Sequence, residues 1–209
     1  GLGSILEDQI HSCNREFVNF IDSNYEDWLH SNSRPTLSID IVKKHVTPVL
    51  EKGNKVCLLV VDCMRHDHFK VMMDLLEPLF NIEIDYKFSL LPTATPYSRN
   101  AIFCGLFPDE MVKKYPQQAD DMKNDASSLN RHEKQFLIDQ LKKLGLGDKR
   151  VHYHKIWAVE EGKKFQNRIK DYIQQDVLAL VVNFVDILAH KSSQMDVLKE
   201  WSQMNRGIA

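Results

Sequence analysis

Two kinds of hydrophobic periodicity divide the chain. In residues 4–30, Leu6, Ile10, Cys13, Phe17, Phe20, Ile21, Tyr25 and Trp28 recur at spacings of three and four, which predicts one long amphipathic helix. Such a helix is roughly 40 Å long at 1.5 Å per residue and cannot bury its stripe alone. It is expected to be the last helix of a bundle that begins upstream of this sequence. Residues 31–35 form a polar break. A second helix is predicted over 38–52, with Ile39, Val42, Val46, Val49 and Leu50 inward, Gly53 as its stop and Pro48 as a kink.

From Lys55 the pattern becomes an alternation of strand and helix. Residues 56–61 are a continuous apolar run, as a strand buried on both faces requires. A helix is predicted at 66–79, a strand at 82–91, a helix after Thr95, a polar surface loop at 117–130, a helix at 132–144 closed by Gly145, a strand at 150–157, a helix at 160–174, a strand at 177–184 and mainly helix at 187–204. The fold class that follows is α/β, a mostly parallel sheet flanked by helices and preceded by a bundle helix. The expected division is 1–53 for the helical module and its connecting helix, and 54–209 for the α/β domain.

Composition narrows the picture only a little. Hydrophobic residues at 43% and charged residues at 27% of 209 positions are those of a soluble globular protein. A net charge of -2 argues against a general binder of nucleic acid or membrane surfaces. No apolar run approaches the roughly 20 residues of a membrane span, and Gly1-Leu2-Gly3-Ser4 lacks the features of a signal peptide. Cys13, Cys57, Cys63 and Cys104 are widely spaced, which fits reduced thiols and a cytoplasmic location.

In parallel sheets ligands collect at the carboxyl ends of the strands, and three chemistry-bearing features are predicted there. Asp62 directly follows the run 56–61; alone it reads equally as a loop carboxylate capping the next helix. Thr95, before Pro96, is placed as the N-cap of its helix, where a hydroxyl faces unpaired N–H groups suited to an anion such as phosphate. Asp186 and His190 stand at i and i+4 in the first turn of a helix, on one face, where both can reach one metal ion. Carboxylates, imidazole and a hydroxyl in this order describe a two-metal site with an ionisable threonine between the ions.

The run from Val56 to His190 resembles the first half of an alkaline-phosphatase-superfamily domain, specifically its PglZ branch. The segment TPYSRNAIFCGLFP, residues 95–108, is similar to the nucleophile segment of nucleotide phosphodiesterases in that superfamily. NYEDWLH, LLPTATPYSRNAIFCGLFPDEM and NFVDILAH further resemble PorX-like response regulators, in which a PglZ effector domain serves type IX secretion. The resemblance implies Thr95 as nucleophile, in preference to Thr93 or Ser98. It implies two zinc ions, with Asp62 and Thr95 as ligands of one and Asp186 and His190 of the other. Arg65, in the D-x-x-R-x-D run with Asp67, and Lys155, in a YHK segment, are implied substrate contacts; Arg65 reads equally as half of a surface ion pair, and Lys155 reads more readily as a solvated lysine. His66 and His68 are read as helix-surface residues.

A later D-H-G segment that the superfamily uses for further ligands does not occur here. The chain is therefore expected to be a piece of the intact protein, inactive by itself. The implied activity is hydrolysis of a nucleotide or oligonucleotide phosphodiester through a phosphothreonine. The competing expectation is a regulatory module that acts by contact with a sigma factor and a membrane component of type IX secretion, with helix 4–30 serving dimerisation or signal relay.

Overall fold

A computed structural model of the chain describes residues 2–119, 131–183 and 185–187. The long stripe forms α1, Leu2–His30, as its periodicity predicts. Only its C-terminal third is well covered: Trp28 is buried, and Phe17, Phe20 and Trp28 gather around the Phe88 ring at 6.1, 6.2 and 4.7 Å. Ile5, Leu6 and Ile10, nearer the amino end, remain at least half exposed.

The second helical segment is a composite. A 3-10 turn, Ser38–Asp40, passes into a π-turn, Val42–Val46, and then into α2, Thr47–Glu51. Pro48 explains the change of pitch. It has no N–H to offer and its ring crowds the preceding turn, so the backbone widens there rather than continuing as a regular α-helix. Gly53, at φ 76°, ends the segment in the left-handed region that glycine adopts without strain.

Three strands, β1 (Val56–Val61), β2 (Val151–Ile156) and β3 (Val177–Val182), form an all-parallel sheet in the order β1-β3-β2. Val56, Val177 and Val151 stand in register, as do Val61, Val182 and Ile156. Around the sheet lie α3 (His66–Leu76), α4 (Thr95–Cys104), α5 (Pro108–Lys114), α6 (Glu133–Lys143) and α7 (Val159–Asn167), with a 3-10 turn at Ile169–Tyr172. This is the expected α/β architecture. The core lies under one face of the sheet, where Val177, Ala179 and Val181 meet Phe103, Phe136, Leu137 and Leu141; Val42, Val46 and Leu50 close the same cluster. Gly105, at φ 60°, terminates α4 where the Gln140 side chain lies against its Cα, so the close approach of α4 and α6 leaves no room for a Cβ.

Several expectations change. Residues 82–91 form no strand. Phe88 makes a single parallel bridge to Leu37, and Leu90 joins a small separate cluster with Leu37 and Ala101. Only the end of the run packs, Phe88 against α1 and Leu90 beside Leu37, while Ile84 and Tyr86 are exposed. The apolar run of β1 is covered on one face only: Cys57 and Leu59 are exposed. Residues 116–119 are helical and Ala119 is buried, where a surface loop was expected; residues 120–130 of that loop lie outside the described residues. The helix expected at 160–174 breaks at Arg168 into α7 and the 3-10 turn. Nearly all of the helix expected at 187–204 lies outside the described residues. No helix among the described residues is long and apolar enough to cross a membrane.

Candidate active site

Beyond the last pair of β1 and β3, two more backbone bonds extend the ladder: Asp62 N–H donates to Val182 O (3.0 Å) and Asn183 N–H to Ile156 O (2.9 Å). Asp62, Asn183 and Trp157 therefore form a row across the carboxyl edge of the sheet. Alternation puts this row on the same face as Val60, Val181 and Lys155, above the buried core.

Arg99 projects into this row from α4. Its Nη1 donates to Asp62 Oδ2 (2.5 Å) and Asn183 Oδ1 (3.2 Å), and its Nε to Glu133 Oε1 (2.7 Å). Arg99 is 5% exposed and Glu133, in the first turn of α6, is 0% exposed. The Tyr153 hydroxyl donates to Glu133 Oε2, and Lys155 Nζ lies 3.5 Å from the same oxygen. A buried arginine is tolerated because its Nε and Nη1 meet three oxygens, two of them on carboxylates; the buried carboxylate is tolerated for the converse reason. Glu133 raises the Tyr153 hydroxyl pKa on top of the effect of burial, so that group stays a proton donor. Burial pulls the Lys155 ammonium below the usual lysine range, with Glu133 opposing it.

Asp62 and Asp186 approach one another at the ends of β1 and β3. Burial pushes the Asp62 carboxyl above its ordinary range, Arg99 counters this, and the neighbouring charge of Asp186 raises it further. Between them stands Cys63, held at φ 58°, a left-handed conformation that costs a non-glycine residue about 1–2 kcal/mol. Its thiol donates to Asp186 Oδ1 at 2.9 Å, and burial followed by that bond pushes it up to about 12, so it remains protonated.

Thr95 occupies the first position of α4 rather than the cap. Ala94 takes the cap place, its carbonyl accepting from the N–H groups of Tyr97 and Ser98, both at 3.0 Å. Pro96 accordingly moves to the second position, where its missing N–H is still harmless. Thr95 is half-buried and stands one turn before Arg99, so the two share the helix face that meets Asp62. Ser98 is buried, with its hydroxyl bonded to those of Ser89 (2.5 Å) and Ser38 (3.3 Å), an anchorage for α4 that removes it from contact with a ligand.

The other candidates fall in different places. Arg65, at the start of α3, makes a two-pronged surface ion pair with Asp67 at 3.0 and 2.6 Å. The His68 ring accepts from Arg65 N–H (3.4 Å) and the His66 ring lies 5.9 Å from Tyr86, both on α3 as expected. Lys155 sits within the Glu133 network rather than as a solvated charge. His190 lies outside the described residues. Sequence reasoning missed Arg99 and Glu133. Arg99 was detectable as a cation flanking the otherwise apolar stretch 101–104, a position that demands a partner; Glu133, in a charged helix start, carried no such sign.

A zinc centre needs about four donors. Among the described residues no group of three or more histidine, cysteine or carboxylate side chains gathers to hold a metal. Asp62 is clasped by Arg99, and the Cys63 thiol keeps its proton, so the described donors do not by themselves make a zinc centre.

Comparison with protein families adds a specific match. The model for the BREX system PglZ alkaline phosphatase-like domain matches residues 41–203, the greater part of the chain. No curated protein matches it.

Proposed function

We propose, since the chain belongs to the PglZ family of alkaline-phosphatase-like domains, that it carries the nucleophile half of a phosphoester hydrolase active site, with Thr95 as nucleophile. Alkaline-phosphatase-like proteins usually work with metal ions, and the reading extends to zinc held by Asp62, Thr95, Asp186 and His190 together with further donors. A bound divalent ion supplies positive charge that favours an ionised hydroxyl and offsets the phosphoryl oxygens.

The observation that carries the reading is the meeting of Asp62 and Asp186 at adjacent strand ends, with Thr95 on the helix face that Arg99 brings to Asp62. The chain's own part in the reaction follows from that arrangement. Thr95 Oγ gives its proton to solvent and forms a bond to phosphorus while the bond from phosphorus to the leaving alkoxide breaks, the alkoxide taking a proton from solvent in turn. Water then attacks the phosphothreonine and frees the hydroxyl. Arg99 does not touch the phosphorus in this scheme. It fixes the orientation of Asp62 and, through Glu133, ties α4 to α6.

The substrate proposed is a phosphodiester of a nucleotide or oligonucleotide. With the intact, metal-loaded protein and a chromogenic diester, Thr95→Val is expected to lower turnover by on the order of 10³-fold or more. Unchanged turnover would remove Thr95 from the role of nucleophile.

A second reading rests on the uncovered amino half of α1, where Ile5, Leu6 and Ile10 are exposed. There the protein is a PorX-like response regulator in the cytoplasm that acts by contact with a sigma factor and a membrane component of type IX secretion, or with a second copy of itself. Capture of such partners that survives Asp186→Ala and fails on Ile10→Asp favours this reading; capture lost on Asp186→Ala alone speaks against it.

A further inference from the structure

The strand β2 carries a second constellation that the phosphoryl chemistry leaves unused. On the sheet face away from the core, the His152 ring stacks on Tyr172 (centroids 4.1 Å apart) and His154 on Phe165 (5.1 Å). Phe165 and Tyr172 stack in turn at 5.1 Å with planes 8° apart. This aromatic wall borders a cavity of about 430 Å³, whose rim carries Lys155, Trp157, Lys164 and Arg168. Glu161, the carboxylate among the described residues that line it, already accepts the Trp157 backbone N–H at 2.7 Å. Arg168 makes an exposed pair with Asp171 at 3.1 Å, which a competing anion can open at little cost.

Trp157 is 47% exposed, and Lys155 Nζ stands 5.7 Å from the centre of its ring. A half-exposed indole beside a lysine and above a cationic rim offers a π face and positive charge together, the combination that holds a base and its phosphate. The cavity opens on the face of β2 opposite Asp62 and reaches the carboxyl edge of the sheet at Trp157. Trp157 lies in the Asp62–Asn183–Trp157 row, two strand positions from Asp62, or about 10 Å at the usual strand spacing. A nucleotide spans about that distance from phosphorus to the far side of its base.

We infer that this cavity binds the nucleoside next to the reacting phosphorus, with the base stacked on Trp157 and an adjoining phosphate held by Lys164 and Arg168. The inference rests on the phosphoester reading and deepens it, since it makes Trp157 the residue that selects nucleotides over simpler phosphoesters. The net charge of -2 confines the attraction to this rim, which suits a nucleotide or short oligonucleotide rather than a long duplex.

Calorimetry on the intact protein with adenosine monophosphate, adenosine and ribose 5-phosphate tests it. Trp157→Ala is expected to weaken adenosine monophosphate and adenosine about tenfold or more, leaving ribose 5-phosphate unchanged. Trp157→Phe retains most of the affinity, and Trp157→Leu, which keeps apolar bulk without a stacking face, behaves as Trp157→Ala. Lys164→Ala with Arg168→Ala lowers the monophosphate to the affinity of adenosine. Equal binding of ribose 5-phosphate and adenosine monophosphate, or indifference of the monophosphate to Trp157→Leu, overturns the subsite. Turnover by Thr95→Val is measured in parallel. Lost turnover with base-indifferent binding sinks the subsite alone, whereas unchanged turnover with Trp157-dependent binding sinks the nucleophile alone.

Discussion

The two faces of the sheet differ sharply although the same strands make both. On one face, Leu58, Val60, Val177, Ala179 and Val181 pack under α4 and α6, and that packing continues upward into the Asp62–Arg99–Glu133 cluster. On the other, β2 is covered by α7 and the 3-10 turn, while β1 leaves Cys57 and Leu59 exposed. Helix α3, which follows β1, buries none of its residues, and Val71 and Leu75 on it are exposed. The lesson is about where precision resides. The buried face sets the position of Thr95 and Asp62 through α4. The open face contributes an aromatic wall near β2 and little that holds β1.

The strongest way to break this contrast is at the ion network. Arg99→Met leaves Asp62 without its counter-charge and Glu133 to Lys155, and breaking a buried ion pair costs about 3–5 kcal/mol. Urea denaturation is expected to show a loss of that order. A loss below about 1 kcal/mol would mean that the cluster does not organise the buried face. Phe136→Ala comes next. The ring is fully buried, and its removal is expected to cost about 3–5 kcal/mol in the same measurement. Leu59→Ala is the matched change on the open face: the side chain is 55% exposed, so the cost is expected to stay within about 0.5 kcal/mol. A large effect from Leu59→Ala would show that this face is covered in solution.

The smallest effect sharpens the account of the aromatic wall. Burial, with the nearby charges of His154, Lys134 and Arg168, holds the His152 imidazole below its ordinary pKa of 6.5. The sign follows from linkage. As pH falls through 6.5 the unfolded chain takes up a proton that the folded chain resists, so stability declines from that point downward to the folded pKa. The melting temperature is expected to fall slightly between about pH 7.5 and about pH 5.5, and His152→Phe is expected to reduce that slope. An unchanged slope would place the acid sensitivity elsewhere.

Much of the fold was legible because it is local. Continuous apolar runs predicted β1 and β3 within a residue or two, and the spacing of three and four predicted α1 and α6. The strand expected at 82–91 failed because a strand-like run of apolar residues does not say that the backbone pairs: Ile84 and Tyr86 in it are exposed. Phe88, partly buried, packs against α1, and Leu90 is buried beside Leu37 instead. The cover of β1 failed for a related reason. An apolar run states that a strand can be buried on both faces, while its neighbours decide whether it is.

For the candidate site, the sequence by itself determined which residues stand at the strand ends. Asp62 and Asp186 follow apolar runs of strand length, and Thr95 stands beside a proline in the first turn of a helix, although the run before it forms no strand. The strand order β1-β3-β2 was decided only in three dimensions, and that order makes Asp62 and Asp186 neighbours and puts Trp157 in their row. So was the displacement of Thr95 from the cap into the first turn, and the choice of Arg99 to clasp Asp62. Contacts across 37 and 34 residues, from Arg99 to Asp62 and to Glu133, depend on how helices seat on the sheet. Local periodicity carries no record of such seating, because the energy that selects it arises only when the separated charges are buried together.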